Sequence, residues 1–377
     1  MKTVRLAVVG AGPAGMSAAI TASRLGVQTV VVDDSDRPGG QLTKQTHKFF
    51  GSRAQYCGTR GVDIARILAA ELANTGVELL PGTSVVGLYR RSPADNPGTQ
   101  SETQTWVLGL ANKDRFWKLG AEALVIATGA QENSLLFPGN DLPGVYGAGA
   151  VQTLMNVFGV RPGTQVLMVG SGNIGLIVSY QLIQAGIEVK AVVEALPRIG
   201  GYHVHAAKLV RLGVPILTSH TVRRAIGRES VSGAVICQVD RMLRPVPGTD
   251  RTLKLDTICL AVGLTPLTEL LWQAGCRMEY VPELGGHLAW HDETMQTSVR
   301  GIYVAGDVAG IEEASTAMLE GRIAGAQAAI QLEGPNGKAT QIITDAQAQL
   351  CAIRSGPFSA KVVSGRTRLA ACAAGTS

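Results

Sequence analysis

The stretch VRLAVVGAGPAGMSAAITASRLGVQTVVVDDSDRPGG, residues 4–40, decides the fold because the chain writes it again as TQVLMVGSGNIGLIVSYQLIQAGIEVKAVVEALPRIGG, residues 164–201. Each copy opens on a short apolar, β-branched run, LAVVG at 6–10 and VLMVG at 166–170, continuous in the way of a strand buried on both faces. A glycine turn follows: Gly10, Gly12, Pro13, Ala14 and Gly15 in the first copy, Gly170, Gly172, Asn173, Ile174 and Gly175 in the second. Helical patterns come next, MSAAITASRLG and LIVSYQLIQAG, each closing on a glycine suited to a helix C-cap. A second strand, TVVVDD at 29–34 or VKAVVE at 189–194, then ends in acid and runs into RPGG or RIGG.

These residue types have a common physical reason. The first glycine makes a tight bend, the second lets backbone approach a pyrophosphate, and the third lets helix pack close on strand. Free N–H groups at the helix start face the phosphates, where the helix carries partial positive charge. The acid that ends the second strand accepts from ribose hydroxyls. Counting from the glycines selects Asp34, whereas counting back from RPGG, with Glu194 and RIGG as template, selects Asp33. Asp33 is favoured and both stay candidates, with Arg37 and Gly40 beside them. Glu194 would repel a ribose 2′-phosphate, so NAD(H) is expected in the second site over NADP(H), although Arg198 works the other way. A further glycine pair, GAGAVQ at 147–152, has no third glycine and no strand before it, and is read as a loop. Two βαβ units in one chain predict an α/β protein with two Rossmann-like three-layer dinucleotide-binding domains.

A length of 377 residues suits two domains. Apolar residues at 46%, charged residues at 17% and 46 glycines exclude a disordered chain. The net charge is +5, and residues 331–377 hold five basic against two acidic residues, which leaves no basic nucleic-acid face on the body. Six cysteines without CxxC or metal-ligand spacing give no disulfide scaffold and no metal site, and fit a reducing cytoplasm. His203 and His205 alternate as strand neighbours would, with no third ligand in view. Lys2 and Arg5 before an apolar run could suggest a signal peptide, but a strand entering a glycine turn accounts for the same residues. No other segment approaches the about 18 apolar residues of a membrane span.

On these motifs the chain resembles the FAD/NAD-linked pyridine nucleotide-disulfide oxidoreductase superfamily, across about residues 3–330. The resemblance implies an NAD(H) domain, 141–265, inserted in a discontinuous FAD domain, 1–140 and 266–330. Beyond it the helical pattern ITDAQAQLCAI at 343–353 gives way to small and basic residues, so 331–377 is expected as a partly mobile tail. Ala127, Thr128 and Gly129 end EALVIATG, and Ala261, Val262 and Gly263 end TICLAVG; both look like the family's crossings between domains. Thr297 followed by GIYVAGD at 301–307 is similar to the terminal FAD motif, which implies Gly306 and Asp307 at the ribityl chain. Ser315 and Thr316 would then lie in the first turns of a helix whose positive end faces the flavin. GGQL at 39–42 resembles thioredoxin reductases and implies a flavin contact at Gln41. Beyond it Lys44, Gln45, His47 and Lys48 are polar candidates, Lys44 and His47 for a catalytic role.

Within the superfamily, FPGNDLPGVYGAGAVQTLMN at 137–156 is similar to the larger subunits of hydrogen cyanide synthase, opine oxidase and dye-linked proline dehydrogenase, parts of multi-subunit amine or amino-acid dehydrogenases. Residues 331–377 lack the cysteine cluster that commonly ends such subunits, so no iron–sulfur centre is expected. Disulfide reductases need two cysteines beside the flavin, and the solitary Cys57 is read as a packing residue. The resemblance therefore implies an FAD-dependent NAD(P)H oxidoreductase that is not a disulfide reductase. A hydride would move between NAD(H) and FAD, and electrons would pass to or from a separate acceptor or protein partner in an oligomer, as in an amine dehydrogenase complex. A nucleotide-binding scaffold without hydride transfer and a reductase of a small redox protein are the alternatives.

Overall fold

The β-branched runs of the two copies form the centres of two parallel sheets. The computed structural model describes residues 1–91, 105–356 and 358–374. One unit comprises 1–43, 48–131 and 265–377, and a second, inserted in it, comprises 44–47 and 132–264.

In the first unit β1 (Lys2–Val9), β2 (Thr29–Val32) and β3 (Glu78–Leu80) run parallel, with β1 central between β2 and β6 (Phe116–Ile126). The hairpin of β4 (Ser84–Arg90) and β5 (Trp106–Ala111) pairs antiparallel with the first half of β6, and β19 (Ile302–Val304) pairs parallel with its last three residues. The parallel order is thus β3-β2-β1-β6-β19. Helix α1 (Pro13–Arg24) leaves the first glycine turn, α2 (Gly61–Ala73) packs beside it, and α7 (Ala314–Glu333) crosses it closely. That crossing is made by small residues. A Cβ on Gly321 would collide with the Ala14 carbonyl and one on Gly325 with the Ala18 carbonyl, so the two helices meet backbone to backbone.

The chain leaves this unit in β7 (Ala130–Glu132). In the second unit β8 (Val145–Gly147), β9 (Gln165–Val169), β10 (Glu188–Glu194), β11 (Ile216–Thr218) and β15 (Thr257–Leu260) form an all-parallel sheet in the order β11-β10-β9-β15-β8. Strand by strand this repeats β3-β2-β1-β6-β19, with β8 in the place of β19 although it comes first in the chain. β12 (His220–Gly227), β13 (Val231–Gln238) and β14 (Arg251–Lys254) make an antiparallel layer, and α3 (Ala148–Asn156), α4 (Asn173–Gln184) and α5 (His203–Arg211) supply helices. The fold is α/β, with two Rossmann-like units and the second inserted in the first.

After β16 (Leu264–Pro266) come α6 (Glu269–Gln273) and the hairpin of β17 (Met278–Val281) and β18 (Gly286–Ala289). Beyond Gly334 the chain forms α8 (Gly337–Arg354), over the helical pattern at 343–353, and α9 (Ala360–Ala374). Asn336 caps α8 by accepting from the Lys338 and Ala339 N–H groups at 3.0 and 3.2 Å. The stripe Ala339, Ile343, Ala346 and Leu350 is buried, and α8 packs on α7. Leu369 of α9 is buried with Val281, Leu284 and Leu288.

Three local readings are corrected. GAGAVQ is not a loop: β8 ends at Gly147 and α3 begins at Ala148. His203 and His205 lie on α5, not on a strand, and share no face: His205 is buried and His203 exposed. Cys57 is exposed rather than packed.

Because α7 has no room for a side chain at its closest approach, Gly325→Leu should cost about 3 kcal/mol or more. Urea unfolding monitored by circular dichroism reads this, and a change within about 0.5 kcal/mol would show that the two helices can part freely.

Candidate functional site

The two glycine turns are held by the same bonds. Gly10 N–H donates to the Val32 carbonyl and Ala127 N–H to the Val9 carbonyl, both at 2.8 Å. In the second unit Gly170 N–H donates to Val193 at 2.8 Å and Ala261 N–H to Val169 at 2.7 Å. A Cβ on Gly10 would collide with the Ala127 carbonyl and one on Gly170 with that of Ala261. The ATG and AVG triplets are therefore equivalent walls against the two turns. Each ends on a left-handed glycine, Gly129 at φ +74° and Gly263 at φ +117°.

Helices α1 and α4 start at Gly12 and Gly172, and no side chain caps either one. Ala14 and Gly15 are buried in the first turn of α1, and Ile174 is 40% exposed at the start of α4. The space a side chain would take at Gly172 is open, with nothing within 4 Å of a built Cβ. An uncapped helix start, which at Gly172 faces open space, is suited to a phosphate.

The acids close the pattern. Asp33 accepts from Ala11 N–H at 2.5 Å and Ser35 N–H at 2.9 Å. Glu194 accepts from Ser171 N–H at 2.9 Å, Ser171 Oγ at 2.7 Å and Leu196 N–H at 3.0 Å. Asp33, not Asp34, thus takes the place that Glu194 takes. Burial raises the Asp33 pKa, as does Asp34, while the backbone bonds oppose the rise. Asp34, Arg37 and Arg198 are exposed at the rims. Gly39 N–H donates to the Ala11 carbonyl at 2.8 Å, so the RPGG turn brings Gly40 against Gly12 and leaves Gln41 exposed.

Gly306 lies two residues past the last strand of the first unit, with φ +78°. Its N–H donates to Glu320 of α7 at 2.9 Å. The neighbouring Asp307 has its pKa raised to about 6 by burial, with the Glu312 N–H bond opposing and the Glu320 and Glu312 carboxylates adding to the rise. Ser315 and Thr316 are buried in the first turn of α7, which no side chain caps.

Lys44 and His47 sit among residues of the second unit. Lys44 Nζ donates to the Gly149 carbonyl at 3.2 Å, and burial lowers its pKa while Glu132 opposes. Glu132 accepts from Gly149 and Ala150 N–H at 2.6 and 3.2 Å and so caps α3 from 17 residues away. His47 lies near His205 and Lys208; burial first and then those two groups push its pKa down to about 4. Gln45 is half-buried and Lys48 exposed. Among the described residues no cluster of three or more His, Cys, Asp and Glu is arranged for a metal ion. No helix among them is long and apolar enough to cross a membrane.

Two repeated cradles of this kind are suited to a dinucleotide-binding protein. The chain belongs to the pyridine nucleotide-disulphide oxidoreductase family, whose model matches residues 4–331. It is 30% identical over 320 residues to the alpha subunit of sarcosine oxidase from Rhizobium meliloti strain 1021, covering 84% of this chain and 29% of that relative. It is 30% identical over 340 residues to an opine oxidase subunit of Agrobacterium tumefaciens strain Ach5, covering 87% and 66%. The hydrogen cyanide synthase subunit HcnB of Pseudomonas aeruginosa is 29% identical, covering 88% and 72%. The chain therefore spans under a third of the sarcosine oxidase relative and just under two thirds of the opine oxidase relative. In fold it is similar to T. acidophilum thioredoxin reductase (TM-score 0.71, 20% identity, 88% of this chain and 99% of that one). It is also similar to L-proline dehydrogenase from P. horikoshii (TM-score 0.67, 22% identity, 92% and 59%). Its cofactors are those of the family, FAD and a nicotinamide nucleotide, and the two uncapped cradles fit them.

Glu132, Glu312 and Glu320 escaped the sequence reading. Acids at these positions look like solvated charges until the fold gives them partners, and none stands in a recognisable motif.

The Asp307 carboxyl loses its proton near pH 6 in the folded chain, against 3.8 for the ordinary group. Between those values the folded state holds more protons, so stability falls as pH rises through the window. Asp307→Asn should stabilise the FAD-free protein by about 2 kcal/mol at about pH 8 and by little near pH 4. Urea unfolding at the two pH values measures it; an equal effect at both would show that the carboxyl titrates normally.

Proposed function

We propose that this chain binds FAD in the Gly10–Gly15 cradle and NAD(H) in the Gly170–Gly175 cradle, moves a hydride between them, and exchanges electrons with a separate protein partner. The observation that supports this most is the duplicated bond pattern around the two turns, in which Asp33 and Glu194 grip Ala11 and Ser171 alike. The bound flavin supplies the redox chemistry. This chain binds, orients and sets local charge.

Gly12, Pro13, Ala14 and Gly15 would hold the FAD pyrophosphate at the start of α1, with Asp33 at the ribose and Asp34 and Arg37 at the rim. Gly40, Gln41 and Ala127–Gly129 would flank the cofactor, Gly306 and Asp307 would bond the ribityl chain, and Ser315 and Thr316 would present the α7 start to the flavin. In the second cradle Gly172, Asn173, Ile174 and Gly175 would hold the nicotinamide nucleotide, with Ala261–Gly263 as its wall. Glu194, already fixed by Ser171 and Leu196, carries a negative charge that disfavours a 2′-phosphate. NAD(H) is thus the preferred nucleotide despite Arg198. Lys44, whose ammonium is destabilised by burial, and His47, neutral above about pH 4, are the groups able to handle a proton.

The six cysteines are all free, and Cys237, Cys259 and Cys276 are buried. This favours an enzyme that is not a disulfide reductase and a reducing, cytoplasmic setting. Electrons then leave or arrive through a partner, and the relatives named as oxidase subunits favour an oligomeric complex acting on an amine or amino acid.

Anaerobic titration of the purified protein, observed through its visible flavin bands, should show bleaching by NADH at lower concentration than by NADPH. Gly172→Trp fills the open space of the second cradle and should stay yellow while losing that bleaching by about tenfold or more. Flavin bands that persist in NADH, with and without added partner, would replace hydride transfer by a scaffold role.

A further inference from the structure

Residues 337–374 lie beyond the stretch that the family model matches, yet two arginines from them reach the loop carrying Gly306 and Asp307. Arg354, which ends α8, donates to Glu312 from Nε at 3.1 Å and from Nη2 at 2.8 Å, and to Glu320 from Nη2 at 2.7 Å. Arg366 of α9 donates to Glu312 Oε1 at 3.0 and 2.6 Å and to Glu320 Oε1 at 2.7 Å. Its Nη1 donates to the Ala309 carbonyl at 3.1 Å and to His291 Nε2 at 2.9 Å. His291 accepts there because its Nδ1 donates to the Ala289 carbonyl at 2.9 Å. Burial and the neighbouring Arg366 push its pKa down to about 3, so it stays neutral.

Glu320 is the pivot. One of its oxygens takes both arginines and the other accepts Gly306 N–H at 2.9 Å. Its side chain is 2% exposed, that of Glu312 8%, and those of Arg366 and Arg354 16% and 22%. Two dry carboxylates beside Asp307 repel one another unless cations accompany them. Breaking such a set from one side leaves an uncompensated buried charge beside the loop.

We propose that Arg354 and Arg366 are positioning residues for FAD, and that α8 and α9 form a strap whose guanidinium groups hold the Gly306–Glu312 loop in its binding geometry. The proposal rests on the reading of Asp307 as an FAD contact. Strap docking and FAD binding are then coupled, and each strengthens the other by the same factor.

The test uses the full chain stripped of FAD, with FAD affinity read from fluorescence titration. Arg366→Gln should weaken FAD by about tenfold or more, and adding Glu312→Gln to it should restore affinity to within about threefold, because the uncompensated charge is gone. A purely structural role for Arg366 would make the double variant no better than the single one. In the unaltered protein FAD should slow tryptic cleavage after Arg354 and Arg366 by about fivefold or more, since both sites are held in the cluster. Wild-type affinity in Arg366→Gln, an unrescued double variant, or cleavage indifferent to FAD each overturns the strap. Asp307→Ala separates the two levels: wild-type affinity there removes the Asp307 reading itself, while loss there with no loss in Arg366→Gln removes the strap alone.

Discussion

The carbonyl oxygens of Ala127 and Ala261 stand where a side chain would have to go at Gly10 and Gly170. Each contact joins the end of a central strand to the end of the strand beside it, with room for nothing larger than hydrogen. Beyond that approach, α1 and α4 begin without a side chain to cap their first N–H groups. The acid on the next strand, Asp33 or Glu194, then fixes the middle of the turn through Ala11 or Ser171. The parallel sheet orders, β3-β2-β1-β6-β19 and β11-β10-β9-β15-β8, place these parts identically in the two units.

Charge is handled in two ways in the first unit. Asp33 is buried but bonded to backbone N–H groups, and it needs no cation. Around Asp307 the chain instead gathers Glu312 and Glu320 and answers them with Arg354 and Arg366. A buried ion-pair set of this kind is a poor source of stability, because desolvation consumes most of the Coulombic gain. Its value lies in fixing one loop geometry. The raised pKa of Asp307 has the same meaning: a carboxyl is kept where burial opposes its ionisation.

The parts that repeat were legible in the sequence, because a strand, a glycine turn, a helix and an acid recur at matching offsets. The parts that depend on distant partners were not. The α3 start reads as a loop until Glu132 arrives to cap Gly149 and Ala150, and its preceding strand is only Val145–Gly147. His203 and His205 alternate like strand residues, yet HVHAAKLVR places His205, Ala206 and Leu209 on one buried helical face. Helix α8 was legible over 343–353 as the pattern ITDAQAQLCAI, whereas α9 lies in the small and basic residues that read as a tail. Arg354 and Arg366 find their acids 34 and 54 residues away in the chain, a pairing that local pattern does not encode.

Two separate cradles in one chain is the claim on which the account stands. Isothermal titration of the FAD-free protein, first with FAD and then with NADH, tests it most directly. One site for each per chain is expected, with NADH binding undiminished after FAD has saturated its own. A single shared site, with FAD blocking NADH, would contradict it.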